Sequence, residues 1–243
     1  MRFLIIRHGD PYYPTDSLTE KGQREAELLS RKLVNENITK IYVSPLGRAK
    51  LTAKPTLDKL GMEPIELPWL REFAKGLVTP YPIRNTTNTC AWNMPPELWT
   101  KIPGVFDPTA WREADLYKES EIPQYYDMVC AGFDALLEEW GFRRNEHGYY
   151  DVLPGHENKK DTVCLFCHLG LGNALLAHIL QASLPLIWHS LFLPTSSVTT
   201  IFMEHHTDEH SANARIVSIG DTSHLYAGGE PVSASGLFDP EIR

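Results

Sequence analysis

Three short apolar runs in this chain stop at the same kind of residue. Phe3 to Ile6 ends in Arg7-His8-Gly9, Lys40 to Val43 ends in a polar turn holding Arg48, and Thr162 to Cys167 ends at His168. Runs this short, bounded by turn-forming residues, read as buried strands. A helical pattern follows each. Glu20 to Asn35 places Ala26, Leu29 and Leu33 on one face, with Ser17 or Thr19 available as a cap. Ala49 to Leu60 is closed by Gly61, with Pro55 the weak point of the pattern, and Asn173 to Ala182 follows the third run. Pro64 to Leu67 forms a further short strand. Strand, turn and helix in series predict a sheet covered by helices on both faces. Ser197 to Glu204 and Ala214 to Ile219 read as a hairpin across His205 to Asn213. The expected fold is an α/β three-layer sandwich with a mostly parallel central sheet and an antiparallel edge.

Residues 74–160 differ in texture. Pro, Trp, Tyr and Asn are dense, and one helix stands out, Gln124 to Trp140. Charged, turn-like residues at Arg143 to His147 and Glu157 to Asp161 close the stretch. The expected organisation is one domain over 1–243, with 74–160 an insertion packed over one end of it as a lid.

Composition narrows the partners. The net charge of −8 argues against a grip on nucleic acid or an anionic membrane through the overall field. A few arginines at one point can still hold a small anion. The four apolar residues after Arg2 are too few for a signal-peptide core, and no run approaches a membrane span. Four cysteines in 243 residues make no disulfide scaffold, so a reduced, cytoplasmic protein is expected. A homo-oligomer is possible but not predicted.

In an open α/β sheet, ligands bind beyond the carboxyl ends of the strands. If the three strands are neighbours, Arg7, His8, Arg48 and His168 converge there. Arg48 near a helix start opposes the helix dipole unless an anion sits beside it. Two arginines and two histidines together call for an anion, and phosphate suits the arginine fork best.

These residues carry a resemblance. Arg7-His8-Gly9 at a strand end looks like the signature of the histidine phosphatase superfamily, the phosphoglycerate mutase-like family. Ser44-Pro-Leu-Gly-Arg48-Ala49-Lys-Leu-Thr52-Ala53 resembles its second motif, S-x-L-x-R-A-x-x-T-A. Leu70-Arg71-Glu72 resembles the segment holding its acid, His168 matches its second histidine, and Asp221-Thr-Ser-His224-Leu225 resembles a segment near its C-terminus. The resemblance implies a phosphoglycerate mutase-like fold and a phosphoryl transfer through His8. His8 is then the nucleophile, and Arg7, Arg48, His168 and Leu169 hold the phosphate. Glu72 protonates the leaving oxygen and then deprotonates the water. A small phosphorylated substrate, no cofactor and no metal are implied.

Departures shape the expectation. Asp10 stands where Glu or Gln is common, and Pro14 lies near the position that often supplies an asparagine to the phosphate, with Thr15 and Asp16 beside it. The family's mutases carry Arg-x-Tyr-Gly after the acid, and here Phe73-Ala74-Lys75-Gly76 follows. Their Asn-x-x-x-x-Phe-x-Gly-Trp stretch is missing too. The expectation is therefore a metal-independent phosphomonoester hydrolase. A mutase-type phosphotransferase and a non-catalytic phosphate-binding module remain the alternatives.

Two other patterns compete. Cys164-Leu-Phe-Cys167-His168 fits the haem attachment pattern, but in a strand the two sulfurs face opposite sides. His205, His206 and His210 with Asp208 and Glu209 could bind metal, yet read better as a solvated hairpin tip. Tyr81, Trp92, Trp99 and Trp111 either line a substrate pocket or pack the insertion.

Overall fold

A computed structural model of the chain describes residues 1–73, 77–83, 86–156, 160–205 and 210–237, with backbone alone at 77–83 and 86–89. Eight strands form the main sheet: β1 (Arg2–Arg7), β2 (Ile38–Val43), β3 (Ile65–Glu66), β4 (Phe142–Arg144), β5 (Tyr150–Val152), β6 (Thr162–Cys167), β7 (Val198–His205) and β8 (Ser211–Asp221). Their order is β3-β2-β6-β1-β7-β8-β5-β4. The pairs β3–β2, β2–β6 and β6–β1 are parallel. From β1 outward through β7, β8, β5 and β4 the pairing is antiparallel.

The alternation along β1 sets the three layers. Leu4 and Ile6 face a core shared with Ile41, Val43, Leu29 and Leu33, under α1 (Glu20–Leu33) and α2 (Gly47–Leu60). Phe3 and Ile5 face a larger core built with α3 (Ile122–Glu139) and α4 (Leu169–Leu180), where Phe3 meets Phe133 edge-on at 6.2 Å. A central strand buried on both faces reads as an unbroken apolar run, and the alternation becomes visible only once it is packed.

Two helices begin earlier than their sequence pattern. α2 starts at Gly47, because the Asp16 carboxylate accepts the Gly47 N–H at 2.6 Å and caps it from a distance. α4 starts at Leu169 rather than Asn173, and Glu72 accepts the N–H groups of its first turn.

Part of the stretch 74–160 belongs to the sheet itself. Phe142–Arg144 and Tyr150–Val152 pair with each other and extend the sheet beyond β8, so Arg143 and Arg144 lie in a strand rather than in a closing turn. Trp111 and Tyr117 are fully buried, their rings 5.3 Å apart. No described helix is long and apolar enough to cross a membrane.

Candidate active site

Adjacency of β2, β6 and β1 brings the predicted cluster together. Cys167 pairs with Arg7 and Phe166 with Val43, so the residues that follow share one edge of the sheet. Arg7, His8, Arg48, Glu72 and Leu169 line one cavity of about 470 Å³. His168 is fully buried beside them, with its ring centroid 5.2 Å from that of His8.

His8 is 3% exposed and held at both ends of its residue. Its backbone N–H donates to Cys167 O at 3.0 Å, and its carbonyl accepts the Ser196 N–H at 3.0 Å. The ring Nδ1 lies 2.7 Å from Gly9 O. A carbonyl only accepts, so Nδ1 carries the proton and Nε2 presents its lone pair. Burial first, and the Arg7 charge second, hold His8 well below the usual histidine range. The ring is therefore neutral, the form in which an imidazole can act as a nucleophile.

The cations are fixed by different means. Arg7 donates Nη1 to Leu193 O at 2.6 Å and Nη2 to Ser235 O at 2.8 Å. Arg48 is the second residue of α2, and its Nη1 pairs with Asp16 Oδ1 at 2.5 Å. Asp16 thus supplies the anion that a cation at a helix start calls for. His168 Nε2 lies 2.7 Å from Ser44 Oγ. Burial above all, with His8 and the two arginines adding to it, holds His168 neutral as well. Three buried atoms of this set have no hydrogen-bond partner among the described residues: Arg7 Nε, Arg48 Nε and His168 Nδ1. Buried polar atoms without partners are rare in folded proteins, and their concentration here marks a site built for a polar ligand.

Glu72 belongs to the cavity. Its Oε1 accepts the N–H groups of Leu171 at 2.9 Å and Phe73 at 3.1 Å, and Oε2 accepts that of Gly170 at 2.9 Å. Those bonds favour the carboxylate, as does the Arg48 charge. Burial outweighs them and pushes the Glu72 carboxyl above its ordinary range. A carboxyl of raised affinity for its proton, beside a nucleophile, is suited to acid–base work. Leu169 opens α4 on the cavity wall, next to His168.

Other side chains support this set, although no role at the site was read for them in the sequence. Thr52 accepts the Gly9 N–H at 2.8 Å and donates to Arg48 O at 2.7 Å, joining the two motifs. Ser44 and Thr52 are named positions of the second motif, so their signal was present without a role. Glu25 is fully buried on α1 and accepts the Asp10 N–H at 2.8 Å and the Thr195 hydroxyl at 3.0 Å. A glutamate inside the apolar face of α1 was the sequence signal. Asp10 Oδ2 accepts the Thr19 hydroxyl at 2.8 Å, which fixes the turn after β1.

The competing motifs resolve by position. Cys164 packs on the α1–α2 face of the sheet and Cys167 on the other, as a strand requires. Among the insertion aromatics, Trp92 lines the cavity, whereas Trp99 and Trp111 are core residues. The side chain of Tyr81 and the residues His206, Asp208 and Glu209 lie outside the described residues.

The chain is similar to several known proteins. Residues 3–100 match the model of the Histidine phosphatase superfamily (branch 1). A probable phosphoglycerate mutase, GpmB, of Yersinia enterocolitica is 32% identical over 96 residues, which are 36% of this chain and 45% of that protein. The chain thus matches about half the length of its curated relatives. Among solved structures, a phosphoserine phosphatase of Entamoeba histolytica superposes with a TM-score of 0.60 at 18% identity, covering 92% of this chain and 98% of that one. A mycobacterial glucosyl-3-phosphoglycerate phosphatase superposes with a TM-score of 0.54 at 21% identity, covering 89% and 97%.

Proposed function

We propose that this chain, whose residues 3–100 match the histidine phosphatase superfamily model, belongs to that superfamily and is a metal-independent phosphomonoester hydrolase working through a phosphohistidine on His8. The observation that carries the reading is the 2.7 Å contact of His8 Nδ1 with Gly9 O, in a cavity lined by Arg7, Arg48 and Glu72. It leaves Nε2 neutral and free to attack.

The steps follow from the residues. Nε2 attacks phosphorus as the P–O bond to the leaving group breaks, and Glu72 gives that oxygen its proton. The cations Arg7 and Arg48, with the Nδ1 of His168 as a neutral donor, hold the charge on the transferring group. Such fixed electrostatics is the main source of acceleration in phosphoryl transfer. The Glu72 carboxylate then takes a proton from water, whose oxygen attacks phosphorus and releases His8 and inorganic phosphate. A small phosphorylated molecule is the substrate, and a cytoplasmic setting suits four cysteines that are all free.

The name of the Yersinia relative supports a second reading, a mutase, in which the phosphoryl group returns to a substrate hydroxyl. Hydrolysis of p-nitrophenyl phosphate by the wild type and by His8→Ala, with acid-quench capture of the phosphoryl enzyme, tests the main reading. The expected result is turnover by the wild type, label on His8, and loss of both in the variant. Equal rates in the two proteins overturn it. Transfer to 2- or 3-phosphoglycerate at a rate above hydrolysis selects the mutase.

A further inference from the structure

The cavity has three arginines, and the phosphate accounts for two. Arg7 and Arg48 are tied at the His8 end by the bonds described above. Arg71, on the same cavity wall, places its guanidinium in no ion pair or hydrogen bond among the described residues. Its base is nonetheless fixed. The Tyr125 hydroxyl donates to Arg71 O at 2.7 Å, and the next residue, Glu72, is anchored by three N–H groups. Arg71 lines the cavity, and its charge is among those that hold His168 below the usual histidine range.

A flat wall accompanies it. Trp92 packs against Gly170 so closely that a Cβ there would lie 2.4 Å from Trp92 Cζ3. Trp188 meets Trp92 edge-on at 5.6 Å and Phe73 at 5.0 Å, and its Nε1 donates to Gly170 O at 2.9 Å. Trp92 and Phe73 both line the cavity, so its aromatic wall is rigid rather than adaptable. A volume of about 470 Å³ exceeds the needs of phosphate alone and falls within the range of small-molecule sites.

Resting on the phosphomonoesterase reading, we infer that the alcohol released is a flat, ring-bearing molecule carrying a carboxylate. The ring lies along Trp92 and Phe73, and Arg71 takes the carboxylate. A single guanidinium suits a carboxylate, which it grips in a two-toothed fork. A second phosphate carries more charge than one exposed arginine balances. The ester is thus held at two ends, by Arg7 and Arg48 at the phosphoryl group and by Arg71 at the leaving group.

The test uses non-hydrolysable phosphonates, so that it does not depend on turnover. Calorimetry compares benzylphosphonate with 4-carboxybenzylphosphonate on the wild type and on Arg71→Gln. The carboxylated ligand binds the wild type roughly tenfold tighter, as one charge-assisted pair at a part-exposed site supplies. That advantage disappears in Arg71→Gln. Trp92→Leu weakens both ligands by a similar factor. Equal affinities for the wild type, or an advantage that survives in Arg71→Gln, overturn the inference. A wild type that binds the carboxylated ligand through Arg71 but hydrolyses no phosphomonoester keeps the ligand class and removes the hydrolase reading.

Discussion

The Nε2 of His224 lies 3.0 Å from the Oγ of Ser196, and Ser196 gives its backbone N–H to the carbonyl of His8 at 3.0 Å. Ser196 is fully buried with φ of 55°, a conformation that costs a non-glycine residue about 1 kcal/mol or more unless its surroundings hold it. The same loop gives the carbonyl of Leu193 to the Arg7 side chain and that of Ser197 to the Arg7 N–H. His224 is therefore a positioning residue for the Arg7-His8 pair. His224→Ala should lower kcat about tenfold with KM little changed, and His224→Gln, whose amide reaches the same hydroxyl, should recover part of the loss. Steady-state kinetics alongside a melting curve check this. A variant that melts earlier with unchanged kcat would show that His224 only stabilises the fold.

In the proposed reaction, Asp16 and the substrate phosphate compete for Arg48. The Asp16 side chain is 38% exposed, so solvent screens part of its charge. Asp16→Asn keeps an oxygen for the Gly47 N–H and removes the negative charge beside the phosphate position. Inhibition by inorganic phosphate should tighten by roughly two- to tenfold, a modest change that matches the worth of a part-exposed pair. Weaker inhibition in the variant would mean that Asp16 orders Arg48 for phosphate rather than opposing it.

Asp16 also shows where sequence reading stops. Strands β1, β2, β3, β6, β7 and β8, the order of the motifs and the cluster of His8, Arg7, Arg48 and His168 were legible because each rests on a local pattern: an apolar run, a turn, a cation. The caps of α2 and α4 were not, because Asp16 and Glu72 reach them from 31 and 98 residues away. Glu25 has the same character, joining two loops 185 residues apart by accepting from Asp10 and Thr195, a link that only the folded chain makes. Strands β4 and β5 are each three residues long, and even the apolar–polar–apolar run of Tyr150-Asp151-Val152 is too short to set a period, so the texture of 74–160 hid them.

Gly170 is where the aromatic wall and the acid meet. A Cβ at this position would lie 2.4 Å from Trp92 Cζ3 and 2.8 Å from Glu72 Oε1. Neither neighbour can give way freely, since Trp188 backs Trp92 and backbone bonds hold Glu72. Gly170→Ala should cost about 1–3 kcal/mol of stability, the usual range for overpacking. It should also lower kcat/KM by about a hundredfold through displacement of Glu72. Denaturant unfolding and kinetics on the same preparation separate the two effects. Near-wild-type kcat/KM would show that Glu72 is not held where the chemistry needs it.

In the proposed reaction, Glu72 and His8 together fix the pH dependence. The phosphorylation step needs His8 neutral and Glu72 protonated. The histidine is held well below 6.5, so protonation removes the nucleophile only in distinctly acidic solution, and the acid limb of kcat/KM lies there. The carboxyl is raised above the ordinary 4.5, so it keeps its proton to a higher pH than a free glutamate does, and the alkaline limb follows its eventual loss. Glu72→Gln cannot change charge, and the alkaline limb should vanish. General acid catalysis contributes about 10²- to 10⁴-fold, so the variant's loss should approach that range with phenyl phosphate. It should be far smaller with p-nitrophenyl phosphate, whose leaving oxygen needs little help. With that ester the phosphoryl enzyme should accumulate, because the variant also lacks the base that activates water. Stopped-flow release of p-nitrophenol, read across pH, would show a burst followed by a slow phase. An unchanged pH profile, or equal losses with the two esters, would take Glu72 out of proton transfer.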